Sequence, residues 1–383
     1  MRRFAVLTSV IALAFGLLLP FAAQGANAAR TDVVGHVYVN NNNSVHNSIS
    51  GFDRHADGSL TPIAGSPFMT GGVGTGADLA SQGALQFSGD GRYVVAVDAG
   101  SNQVSTLRIH HDGSLQLADT VSSGGEMPLS VTVHGNLVYV ANAGAAGRNY
   151  TGFTLNAGGH LQAIAGSTVA LSGTAAPVDI LFNGNGTLLV ATKFGPGDSP
   201  SQIDGFAVTA GGLLVAAPAS PFAAQGLAPF GSAFRPNNSS QLFVSNAHNG
   251  ANLGTVSAFN VAGDGTLSSI TNSPFADLQT APCWVDISPD GQHLFTVNTA
   301  VPSITSFAIA TDGTLSNPTS VLLNSPAGLR PFDIRVAPSG DFLYVVGAKT
   351  ISAFSVTGGS LTELAASPVS LPAGAVASGI IVD

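Results

Sequence analysis

The chain has 383 residues, of which 45% are hydrophobic and only 9% charged, against roughly 25% charged in an ordinary soluble domain. Its 47 glycines and 21 prolines exclude a coiled coil or a large helical bundle, and its apolar content excludes a disordered chain. The formal charge of −9, with Lys193 and Lys349 as the only lysines, leaves no basic stripe for a nucleic-acid backbone.

The N-terminus reads as a targeting segment. Arg2 and Arg3 precede an apolar run from Phe4 to Leu19, and Ala26-Asn27-Ala28 supplies a small-residue cleavage site. Residues 1–28 are therefore expected to be a signal peptide of the general secretory type. A retained anchor is the alternative, although the run is short for a membrane span. Cleavage removes two arginines and moves the formal charge from −9 to −11. No later segment has about 18 uninterrupted apolar residues, so residues 29–383 are expected to be one periplasmic or secreted domain. Cys283 is the only cysteine, which excludes an internal disulfide or a CxxC site.

From residue 35 onward the chain repeats. A two-residue turn leads to a leucine in Asp57-Gly58-Ser59-Leu60, Asp112-Gly113-Ser114-Leu115, Gly158-Gly159-His160-Leu161, Gly211-Gly212-Leu213-Leu214, Asp264-Gly265-Thr266-Leu267, Asp312-Gly313-Thr314-Leu315 and Gly358-Gly359-Ser360-Leu361. The leucines stand 55, 46, 53, 53, 48 and 46 residues apart. An alternating strand carrying Phe52, Leu107, Phe153, Phe206, Phe259, Phe307 or Phe354 precedes each turn. Such alternation with a Gly-containing turn predicts a hairpin. Earlier in each unit comes a β-branched or aromatic run, such as Tyr93-Val94-Val95-Ala96-Val97 or Leu294-Phe295-Thr296-Val297. Before most of these lies a strand opened by proline (Pro128, Pro177, Pro229, Pro282, Pro331).

Four strands per unit, repeated seven times, predict an all-β, seven-bladed β-propeller of four-stranded blades. The first unit lacks its opening strand, and the chain ends on an unassigned one, Ala377 to Asp383. The ring is therefore expected to close by residues 377–383 joining residues 35–66 as the first blade, which pairs edges that would otherwise be open. Ser66, Ser167, Ser220, Ser273 and Ser367 lie six residues after a repeat leucine and read as structural residues of the outer edge.

No strong catalytic signature is present, and the nine histidines are dispersed. The residues two positions after the strand-opening prolines (Ser130, Asp179, Gly231, Trp284, Asp333) are expected at one mouth of the central channel. Arg330 and Lys193 are candidates to approach the two carboxylates there. In a catalytic reading, Asp179 or Asp333 activates water while Arg330 or Lys193 stabilises the oxyanion of an opening ester or lactone. In a structural reading the two aspartates cap loops or bond the backbone of neighbouring blades.

The unit running from the strand-opening Pro to Ile287-Ser288-Pro289-Asp290-Gly291 or Val336-Ala337-Pro338-Ser339-Gly340, followed by the aromatic strand and the Asp-Gly hairpin, resembles the seven-bladed lactonase family. That family includes propeller-type 6-phosphogluconolactonases and carboxy-muconate cyclases. Val138-Tyr139-Val140-Ala141-Asn142 is also similar to the YVTN-repeat propellers. The resemblance covers nearly the whole chain after residue 28 and implies lactone hydrolysis. It also implies Arg-His directly after the blade proline, where this chain has Leu129-Ser130, Val178-Asp179, Phe230-Gly231, Cys283-Trp284 and Phe332-Asp333.

Two functions follow as expectations. One is an exported lactonase-like hydrolase acting on a small non-phosphorylated lactone, since ten cations in 355 residues cannot readily form a phosphate site. The other is a non-catalytic binding or scaffold propeller for a protein, glycan or envelope component. No metal or cofactor is expected, because no haem or quinone ligand motif is visible, and the domain is expected to be monomeric.

Overall fold

The computed structural model describes residues 32–324 and 330–383. Its sheets form a seven-bladed propeller. Blade 1 takes residues 33–69 together with 380–382; blades 2 to 7 take 85–122, 128–170, 176–223, 229–276, 282–322 and 331–370. Each blade has four antiparallel positions. In five blades the outermost position is split into two short strands, as in Leu60–Pro62 and Phe68–Met69. The expected signal peptide lies outside the described residues. No helix among the described residues is long and apolar enough to cross a membrane.

The second strand of each blade is covered by neighbouring blades on both sides. All six residues of Tyr93–Asp98 are buried, as are Leu188 to Lys193. Burial on both faces explains why these strands read as continuous apolar runs. The hydrophobic core is correspondingly divided into inter-blade clusters, such as Phe295, Leu343 and Phe354 between blades 6 and 7.

The repeat turns lock one blade to the next. Tyr38 donates its hydroxyl to the Gly113 carbonyl at 2.8 Å, Tyr139 to Gly212 at 2.8 Å, and Tyr344 to Gly58 at 2.9 Å. Gly113 has φ +75°, and a Cβ there would lie 2.3 Å from the His36 ring. Both the backbone conformation and the space therefore require glycine.

The ring closes as the sequence indicates. Ile380–Val382 pairs antiparallel with Val37–Val39 as the innermost strand of blade 1. Arg54 Nε donates to the Asp383 carbonyl at 2.8 Å. The repeat serines also have a defined role. Ser66, Ser167, Ser220, Ser273 and Ser367 accept the backbone N–H of Gly51, Gly152, Gly205, Ala258 and Ala353, at 2.7–3.1 Å. Each hydroxyl satisfies a third-strand donor where the outer strand is interrupted.

Candidate active site in the central channel

The innermost strands begin on one face, here called upper, and end on the lower face beside the glycine-containing repeat turns. Their inner edges face the axis with no further strand among the described residues to pair. Side chains supply the missing partners. Ser130 Oγ accepts Ile180 N–H at 3.2 Å, and Thr132 Oγ1 accepts Phe182 N–H at 3.0 Å. Asp179 accepts Ser232 N–H at 2.9 Å and the Ser232 hydroxyl at 2.6 Å. Asp286 accepts Val336 N–H at 2.7 Å, and Asp333 accepts Ile380 N–H at 3.3 Å. In every case a side chain of one blade satisfies the edge of the next.

The ladders carry an irregularity immediately after the opening proline, at Pro177/Asp179, Pro229/Ser232, Pro282/Trp284 and Pro331/Asp333. Bulges of this kind re-aim side chains. They gather Val178, Phe230, Cys283, Trp284 and Phe332 into one buried apolar cluster under the upper mouth. The Trp284 ring stands 5.1 Å from Phe230 and 6.0 Å from Phe332, centroid to centroid. These are the positions where the family resemblance implied Arg-His.

A stopper formed by the connection between blades 1 and 2 closes this mouth. Gln82 reaches across the axis, donating Nε2 to the Ser232 carbonyl at 2.8 Å and accepting Val285 N–H at 2.9 Å. Its backbone N–H bonds the Val178 carbonyl, and the Ser81 hydroxyl bonds that of Leu129. Four blades thus hold one short segment. A Cβ on Gly231 would lie 2.2 Å from Gln82 Oε1, so glycine at 231 is what admits the stopper.

Below Gln82 the channel opens downward as a cavity of about 270 Å³, lined among others by Gln86, Ser232, Asp286 and Arg335. Arg335 Nη1 lies 3.0 Å from Asp333 Oδ1 and also bonds the Ile334 carbonyl. Its other N–H groups have no partner among the described residues. Three carboxyls surround this one guanidinium. Burial raises Asp179 to about 7, outweighing the hydrogen bonds from Ser232. Burial likewise raises Asp333 to about 6, against the nearby Arg335 charge, and it raises Asp286. Burial opposes the Arg335 charge, but Asp333, Asp286 and Asp179 more than compensate. Raised carboxylates beside a cation in a concavity mark a candidate acid–base site.

The four expected site residues do not converge. Asp179 and Asp333 share the electrostatic group around Arg335 but are themselves fully buried. Arg330 stands at the upper mouth, within electrostatic reach of Asp78 and Cys283. Lys193 is buried in blade 4, its Nζ 2.8 Å from Asp204 Oδ1, and the Tyr150 hydroxyl takes the other Asp204 oxygen at 2.7 Å. The residues that do reach the cavity, Asp286 and Arg335, are additional to those expected. Among the described residues no group of three or more His, Cys, Asp or Glu side chains is arranged to hold a metal ion.

A propeller whose channel holds a carboxylate–guanidinium group is the class of protein that fold and site define. The chain belongs to the lactonase family of seven-bladed β-propellers, whose model matches residues 32–191 and 233–375. No curated protein matches it. It is similar to the crystal structure of a proposed 6-phosphogluconolactonase from Bacteroides fragilis, with 21% identity, 93% of this chain and 99% of that chain covered, and a TM-score of 0.71. A proposed 6-phosphogluconolactonase from Bacteroides uniformis gives 20%, 91%, 99% and 0.72. The periplasmic gluconolactonase of Pseudomonas aeruginosa gives 17%, 91%, 98% and 0.70. At these identities the likeness establishes the fold.

Proposed function

We propose that this chain is an exported hydrolase of small, non-phosphorylated lactones, acting in the lower channel cavity. The observation that carries the proposal is that Asp286 and the incompletely bonded Arg335 line the same cavity within electrostatic reach of each other. Asp286, its basicity raised by burial, takes a proton from water as the oxygen adds to the lactone carbonyl. Arg335 stabilises the oxyanion that forms. Collapse breaks the ring acyl–oxygen bond, and Asp286 returns its proton to the departing alkoxide, giving a hydroxy acid. Asp333 holds Arg335 in place, and Asp179 shares its charge electrostatically.

Three carboxyls around one guanidinium that already pairs with Asp333 disfavour a phosphorylated substrate. Arg235, the other cation lining the cavity, is occupied by the carbonyls of Gly291, Ala310 and Ile309 and by Gln241. The test is a panel of sugar and acyl lactones assayed with wild type, Asp286→Asn and Arg335→Lys. A loss of about 10²–10³-fold in kcat/KM in each variant is expected. Equal rates in wild type and both variants on every lactone would refute the assignment. Export is tested separately, by sequencing the N-terminus of the protein recovered outside the cytoplasm.

One observation favours the second reading, a non-catalytic binding propeller. Asp179, Asp286 and Asp333 each accept a backbone N–H of the next blade, a sufficient structural reason for their presence. Retained lactone binding without turnover would select it.

A further inference from the structure

A second polar depression lies off the axis, on the lower side between blades 2 and 3. Two adjoining cavities, of about 440 and 300 Å³, have Arg92, Tyr93 and Ala157 in common in their walls and together make up this groove. Its size is that of a small-molecule site. It brings together two guanidiniums, Arg92 and Arg108, in a chain whose formal charge is −9. Among the described residues Asp90 is the only carboxylate in its lining, and it is already engaged, 2.6 Å from Arg92 Nε and 2.7 Å from the Ser88 hydroxyl.

Arg92 is held in position by Asp90 and by the Tyr93 ring, whose centroid lies 5.7 Å from its guanidinium carbon. The Tyr93 hydroxyl is itself bonded to the Ala157 carbonyl at 3.0 Å. Arg108 is exposed, and its guanidinium has no hydrogen bond or ion pair among the described residues. The Asn136 side chain is likewise without a partner among them. Asn156 Oδ1 accepts the N–H groups of Gly158 and His160, which leaves its Nδ2 as a free donor. The groove thus has more donors than acceptors and a net positive lining. Leu155, Leu117 and Ala157 supply apolar surface between the polar groups.

We propose that this groove binds a carbohydrate carrying a carboxylate, that is, a uronic-acid residue of an oligosaccharide. The carboxylate pairs with Arg108, whose forked donors match its two oxygens. The hydroxyls bond to Asn136, Asn156 and the remaining N–H groups of Arg92. The site is independent of the channel and of any catalysis there.

The test is calorimetric titration of the purified protein with trigalacturonate and, separately, with neutral galactotriose. Wild type is expected to bind trigalacturonate and not galactotriose. Arg108→Gln should weaken binding at least tenfold, the loss of one charge-assisted hydrogen-bond pair. Arg108 is exposed, so the variant's Tm should match wild type and exclude misfolding. Added NaCl should weaken the wild-type interaction. The inference is overturned if wild type fails to bind trigalacturonate at millimolar concentration, if the neutral sugar binds equally well, or if Arg108→Gln binds as wild type does.

Discussion

Trp284 donates its indole N–H to the Ser81 carbonyl at 2.7 Å, although 203 residues separate them. This bond ties blade 6 to the stopper, and it places the only tryptophan of the chain where any opening of the upper mouth is felt. Gln82→Ala removes both side-chain bonds that span the axis. Collisional quenching of Trp284 by acrylamide should then rise several-fold over wild type. Unchanged quenching would mean that the segment does not seal the channel.

Gly231 makes room for Gln82. Gly231→Ala places a methyl 2.2 Å from Gln82 Oε1 and 2.8 Å from the Cys283 carbonyl. A loss of about 1–3 kcal/mol is expected from such overpacking, readable as a lowered denaturant midpoint with an unchanged slope. Adding Gln82→Ala to Gly231→Ala should recover part of it. Equal stability of Gly231→Ala and wild type would place the stopper elsewhere.

Stability should fall as pH rises through neutrality. Asp179 and Asp333 have folded values raised to about 7 and about 6, above the roughly 3.9 of an unfolded aspartate. The folded state therefore binds more protons than the unfolded one between about pH 4 and 7, and folding is favoured at the acid end of that window. The turn aspartates Asp57, Asp112, Asp264 and Asp312 act oppositely. Hydrogen bonds from Ser59, Ser114, Thr266 and Thr314 lower them, so their contribution is lost below about pH 4. The melting temperature should peak in mild acid, near pH 5, and drop by several degrees at pH 8. Asp179→Asn should flatten that slope. A higher melting temperature at pH 8 than at pH 5 would contradict the assignment.

Lys193 should prove structural. Lys193→Met leaves the buried Asp204 without its cation and should cost about 3–5 kcal/mol. Lys193→Met/Asp204→Asn should restore part of it by removing the stranded charge. The lactone KM of either folded variant should stay at the wild-type value, whereas a selective fall in kcat with intact stability would return Lys193 to the chemistry.

Removing residues 377–383 should abolish soluble expression or lower the melting temperature severely. The deletion strips blade 1 of Ile380–Val382 and leaves the Val37–Val39 edge open. It also deprives Asp333 of the Ile380 N–H. A truncated protein that melts like wild type would show the closing strand to be dispensable.

The architecture was legible because its determinants are local and repeated. A glycine-containing turn recurs in all seven units, a phenylalanine-bearing strand in six and a proline-opened strand in five, and so regular a recurrence leaves little freedom. The orphan strand at the C-terminus was legible for the same reason. The site was much less so. The partner of Asp179 is Ser232, and the partner of Asp286 is the Val336 backbone, each a full blade further along. No local pattern states that pairing. The stopper depends on Gln82, which sits in an irregular connection with no repeat to mark it. Arg335 did leave a trace. It stands two residues after Asp333 on the same strand, the spacing that puts both on one side of a pleat, beside a carboxylate that had already drawn notice.

The tyrosine-to-turn bonds have a final consequence. Tyr344 grips Gly58 across the seam in the same way that Tyr38 grips Gly113 and Tyr139 grips Gly212. The seam is thus chemically equivalent to an ordinary junction between modules. An open solenoid can fray from its ends, but a wheel with no terminal module offers no end at which to begin. Denaturation should accordingly be all-or-none. A circularly permuted gene that joins the native ends and is opened in an inter-module loop should yield the same wheel.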